Sequence, residues 1–124
     1  LIIEEEENKY IVEGHDYHCA LDVTMSYIGG KWKTVVLWYL RKEKKCFSEL
    51  KAHIPDITDK MLSLQLRALE KDGVVRREIF PEVPPKVEYE LTEEGRTLIP
   101  VVEAIAKWGR EKAERHGEMV KVKQ

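Results

Sequence analysis

Apolar positions recur every three or four residues through most of this chain, and the breaks in that rhythm mark where its helices end. Phe47, Leu50 and Ile54 share one side of a helix over 47–54. Pro55-Asp56 ends it, because proline drives the residue before it out of helical geometry. A second amphipathic helix starts near Thr58, carries Met61, Leu62, Leu66 and Leu69 on one side, and stops at Asp72-Gly73. The period then changes. Val87, Tyr89 and Leu91 alternate, and 74–80 and 87–91 read as strands joined by Pro81-Glu82-Val83-Pro84-Pro85-Lys86. Upstream, Leu21, Val23, Met25 and Ile28 predict a short helix over 22–28, which Gly29-Gly30 interrupts. Trp32, Val35, Val36, Tyr39 and Leu40 predict a stronger one from 31 to about 42. Downstream, Thr92 is a good N-cap, and Glu93 and Glu94 suit the positive end of a helix dipole. Ile99, Val102, Ile105, Ala106 and Trp108 keep the helical spacing, Pro100 bends or restarts the helix, and Gly117 stops it. Tyr10-Ile11-Val12 reads as a short strand and Gly14 as a break.

Helix, tight turn, helix, then a β-hairpin is the winged-helix order. The predicted fold class is therefore α+β, mainly α, in one domain over 15–117, with an arm of unassigned structure over 1–14 and a loose tail over 118–124. In such a fold the second helix enters a major groove and the hairpin reaches the flanking backbone or minor groove.

Composition supports a folded domain: 124 residues, of which 43% are hydrophobic, suffice for a core. No apolar run approaches the roughly 20 residues that span a bilayer. The start, Leu1-Ile2-Ile3-Glu4-Glu5-Glu6-Glu7, lacks the basic region and apolar stretch of a signal peptide, and two cysteines do not make a disulfide scaffold. A cytoplasmic protein without membrane contact is the expectation. The net charge of −2 looks wrong for a DNA binder until it is divided along the chain. Residues 1–30 sum to −6, residues 31–77 to +6 with twelve Lys or Arg against six acids, and residues 78–124 to −2. The positive segment holds the helix-turn-helix.

Candidate contacts follow from helical geometry. Thr58 caps the second helix of the motif. Lys60, Ser63, Leu64, Arg67 and Lys71 fall opposite its apolar side, with Gln65 at the boundary. Lys60 and Arg67 suit phosphate, Arg67 also suits guanine, and Ser63 suits a base edge or phosphate. Leu64 either meets a thymine methyl group or is one of the scattered exposed leucines common on protein surfaces. On the hairpin, Arg76 and Arg77 point to opposite faces, so one is available to phosphate, and Lys86 sits at a loop stiffened by three prolines. Lys31 and Lys33 suit phosphate near the start of their helix.

With these residues in place, the chain resembles the HxlR-type winged-helix transcription regulators. The likeness is carried by Cys19-Ala20-Leu21-Asp22, Ile28-Gly29-Gly30-Lys31-Trp32-Lys33, Phe47-Ser48-Glu49-Leu50, Lys60-Met61-Leu62 and Leu66-Arg67-Ala68-Leu69-Glu70. It continues through Asp72-Gly73-Val74-Val75, Arg77, residues 81–89 and Leu91-Thr92-Glu93-Glu94-Gly95, and so spans about residues 18–110. The resemblance implies a homodimer whose N- and C-terminal helices form the interface and whose paired reading heads bind a palindromic operator in double-stranded DNA. Two positions depart from the family pattern: Ala20 stands where proline is usual, and Leu64 where a polar residue is usual.

Cys19 aligns with a cysteine that some members use to sense electrophiles, quinones or oxidants. Its place just before a helix favours thiolate. The competing reading is a small buried apolar residue, the commonest fate of a free cysteine. His15, His18 and Cys19 have ligand chemistry but no second ligand pair at suitable spacing, so no metal is expected. No nucleophile motif or phosphate-cradling glycine loop is present, so neither an enzyme nor a cofactor is expected. The alternative function is a winged-helix protein–protein interaction module that does not bind DNA, which the acidic net charge and Leu64 favour.

Overall fold

The computed structural model describes residues 9–122. The acidic residues 1–7 and the last two residues of the expected tail lie outside the described residues. In chain order the elements are β1 (Tyr10–Val12), β2 (His15–Tyr17), α1 (Ala20–Ile28), α2 (Lys33–Leu40), β3 (Lys45–Cys46), α3 (Phe47–His53) and α4 (Asp59–Lys71). They continue as β4 (Val75–Phe80), β5 (Lys86–Leu91), α5 (Glu93–Thr97) and α6 (Ile99–His116). The fold is mainly helical α+β, with the helix-turn-helix of α3 and α4 followed by the β4–β5 hairpin, the wing.

Local chemistry accounts for most boundaries. Thr58 accepts the backbone N–H of Met61 at 3.0 Å and so starts α4. At the other end Gly73 adopts φ +77°, which glycine takes without strain, and Val74 N–H donates to Leu69 O at 2.9 Å. The chain thus turns from α4 directly into β4. Pro100 lies in the first turn of α6, where a missing N–H costs no helical bond, so it restarts the helix rather than bending it.

The core is one cluster. Leu62, Leu66 and Leu69 of α4 pack with Val36 and Leu37 of α2, Leu50 of α3, Ile57 of the turn and Val74. The sheet order is β3-β5-β4, all antiparallel, and its register sets Val75 opposite Leu91 and Arg77 opposite Tyr89. β3 was not foreseen: two residues carry too little alternation to read, and only pairing with Glu88 and Tyr89 makes Lys45–Cys46 a strand. The Tyr10–Val12 strand is present and pairs with His15–Tyr17, so the turn at Glu13-Gly14 falls where the expected arm meets the expected domain. α2 is shorter than expected, at Lys33–Leu40.

The apolar residues of α1 and α6 divide. Ile28 and Val102 belong to the core, while Leu21, Met25, Ile105 and Trp108 stay exposed. No helix among the described residues is long and apolar enough to cross a membrane.

Candidate nucleic-acid interface

α4 lays its leucines inward, which fixes what its other side presents. Lys60, Arg67 and Lys71 are exposed, Leu64 is 48% exposed, and Ser63 is half-buried. Gln65 turns back and donates to Met61 Sδ at 3.1 Å, consistent with its place at the boundary. Lys60 and Arg67 pair with no carboxylate among the described residues. They are cations on a rigid, capped helix, available to phosphate or a base edge.

The wing differs. Arg76 is ion-paired with Glu90, which faces it across the strands. Arg77 Nε lies 3.6 Å from Glu70 Oε2 of α4. Lys86 Nζ lies 3.4 Å from Glu88 Oε2, and Lys44 Nζ lies 3.3 Å from Glu88 Oε1. Every basic residue of β4 and β5 is therefore engaged by a glutamate. Sequence reasoning missed both Lys44 and this engagement. The available signal was the i, i+2 placement of Lys86, Glu88 and Glu90 on one face of a strand. Tyr89, on the opposite face, is pushed above the usual tyrosine range by burial, an effect that Arg77 and Arg67 partly oppose and Glu70 adds to. Those four residues join α4 to the wing.

A cleft of about 520 Å³ separates the wing loop from the start of α3, lined by Cys46, Phe47, Ser48, Glu82, Pro84, Pro85, Lys86 and Val87. Val83 at the loop tip is fully exposed. α3 begins with a capping box: Cys46 N–H donates to Glu49 Oε1 at 2.8 Å while Cys46 Sγ accepts the backbone N–H of Glu49. The bond from the Cys46 N–H holds the Glu49 carboxyl below its usual value. Lys31 sits 4.5 Å from the Trp32 ring centroid, and Lys33 is half-buried at the start of α2.

Cys19 occupies the N-cap position of α1, partly buried, with an extended backbone and no side-chain cap bond. Among the described residues no His, Cys, Asp and Glu group forms a metal-binding cluster.

Known proteins share this fold. Residues 27–117 match the family described as HxlR-like helix-turn-helix. An HTH-type transcriptional regulator of Bacillus subtilis, YdeP, is 50% identical over 97 residues, which cover 78% of this chain and 76% of that protein. An HTH-type transcriptional regulator of Methanothermobacter thermautotrophicus is 48% identical over 95 residues, or 77% and 72% of the two chains. Among solved structures, the redox regulator HypR in its oxidized form superposes with a TM-score of 0.73 at 49% identity, covering 75% of this chain and 96% of that one.

Proposed function

The chain belongs to the HxlR-like helix-turn-helix family, and from that premise we propose that it regulates transcription as a homodimer on a palindromic operator in double-stranded DNA. Each subunit sets α4 in a major groove. The single observation that carries this reading is the outward face of α4, where Lys60 and Arg67 stand exposed and unpaired among the described residues on a helix capped by Thr58. Ser63 and Leu64 lie between them and face base edges, Leu64 against a thymine methyl group. Arg76, Arg77 and Lys86 serve the wing, and Lys31 and Lys33 the flanking phosphates. Residues 15–117 form the working domain, and the protein acts in the cytoplasm without catalysing a reaction.

The exposed Leu21, Met25, Ile105 and Trp108 support pairing through α1 and α6. Two-fold pairing buries these side chains and sets the two heads about one DNA turn, roughly 34 Å, apart. Cys19 at the N-cap of α1 is the candidate sensor of electrophiles or oxidants, placed where a change in the thiol alters the same helix that pairs the subunits.

Electrophoretic mobility shift against duplexes selected from a random pool, repeated at rising salt, tests the reading. Specific retardation whose affinity falls steeply with salt supports it. A second reading, docking to another protein in place of DNA, draws on the half-exposed Leu64 and the glutamate-engaged wing. Absence of any duplex binding at low salt selects that alternative.

A further inference from the structure

Glu88 is an anion in a place where the proposed DNA-binding reading calls for cations. Its carboxylate uses one oxygen for each of two lysines: Oε1 lies 3.3 Å from Lys44 Nζ and Oε2 lies 3.4 Å from Lys86 Nζ. The glutamate side chain is 15% exposed, whereas the two lysines are 49% and 50% exposed. Both lysine side chains thus remain about half open to solvent.

Strand pairing does not explain this glutamate. Across β4–β5 it stands directly opposite Glu78, and like charges facing each other weaken a sheet. The two lysines offset that repulsion. Each comes from a different part of the fold. Lys86 ends the wing loop and lines the cleft against Cys46, Phe47 and Ser48. Lys44 immediately precedes β3 and the start of α3, and its ammonium lies 5.9 Å from the Phe80 ring at the far end of β4. The pair therefore spans the junction between the wing and the first helix of the helix-turn-helix.

We propose that Lys44 and Lys86 form a two-lysine site for a phosphodiester of the DNA backbone, and that Glu88 occupies this site in the free protein. A phosphodiester carries one negative charge shared by two non-bridging oxygens, the same charge and the same pair of acceptors that Glu88 presents. Binding exchanges one such anion for another; until then the carboxylate holds the two lysines converged. The site adds Lys44 to the interface, and its occupant is read by charge alone, without sequence preference. The inference rests on the DNA-binding reading of α4 and the wing.

The test compares wild type, Lys44→Ala, Glu88→Gln and the double variant on a duplex selected by the wild-type protein from a random pool. Affinity is measured across a salt series, and thermal unfolding verifies that each variant folds. Lys44→Ala is expected to reduce the salt slope by less than the roughly 0.9 per subunit of a whole phosphate contact, because Lys86 still meets the same phosphate, and to weaken selected and scrambled duplexes by the same factor. Glu88→Gln, which keeps the shape and removes the charge, is expected to tighten both by about threefold. The double variant loses that gain. Wild-type binding with an unchanged slope in Lys44→Ala and unchanged affinity in Glu88→Gln overturns this site and leaves the reading of α4 intact. Absence of duplex binding by the wild type overturns both.

Discussion

Arg77 on the wing reaches back to Glu70 on α4, Nε to Oε2 at 3.6 Å, while Arg67 one turn earlier on that helix has no carboxylate partner among the described residues. The two arginines are therefore not equivalent. On the proposed reading Arg67 meets DNA without giving up a partner, whereas Arg77 exchanges Glu70 for phosphate, so part of its gain is offset.

Arg67→Ala is expected to cost more than Arg77→Ala in duplex affinity. Loss of a base contact at Arg67 costs roughly 1–3 kcal/mol per half-site and relaxes preference at one position in each half-site. Arg77→Ala leaves the preference profile unchanged and lowers the salt slope, by less than the roughly 0.9 of a whole phosphate contact because Glu70 already meets Arg77 in the free protein. Binding measured on a set of singly substituted operators separates the two. Equal effects would remove the distinction drawn from the Glu70 contact.

Leu21 and Trp108, 75% and 62% exposed, test the pairing of subunits. Leu21→Glu and Trp108→Lys are expected to give folded monomers, because neither side chain supports the core of its own chain. Light scattering reads the mass and circular dichroism the fold. Operator affinity falls with the loss of the second head. A variant that stays dimeric with unchanged operator affinity would place the interface elsewhere.

Gly95 is buried under the loop that links α4 to β4, and a Cβ there would collide with the Val74 carbonyl oxygen. The same carbonyl accepts from Thr92 N–H at 3.0 Å, and Thr92 Oγ1 accepts from Gly95 N–H at 3.0 Å. Gly95→Ala must push these bonded groups apart. The expected loss is about 1–3 kcal/mol, the range for overpacking a close contact, read from urea unfolding. An unfolding midpoint equal to wild type would show that α5 shifts freely.

Glu49 supplies a pH dependence. Its folded value lies below the usual one because the carboxylate accepts from the Cys46 N–H. The bond therefore contributes in full above the ordinary glutamate value of about 4.3 and is lost as pH falls through the lowered folded value. Glu49→Gln is expected to unfold at a lower temperature than wild type at neutral pH, with the gap closing in acid. A gap that stays constant down to the acid limit would mean the charge plays no part in the cap.

The helices, their order and the exposed face of α4 were legible from the chain alone. Helical period, proline breaks and caps such as Thr58 and Thr92 act between residues three or four apart, so they are written locally. Leu62, Leu66 and Leu69 point inward wherever the helix is placed, and Lys60 and Arg67 then point outward. The partners of the wing were not legible in this way. Whether Arg77 meets Glu70, or Lys44 joins Lys86 at Glu88, depends on strand register and on helix-to-sheet packing between residues distant along the chain. The same is true of β3, which exists by pairing with β5, and of Ile28 and Val102, which the core buries while Leu21, Met25, Ile105 and Trp108 of the same two helices stay exposed. Local sequence determined which residues are basic and which helix bears them. Tertiary structure decided which of those charges remain free, because an ion pair forms only where folding brings its two ends within reach.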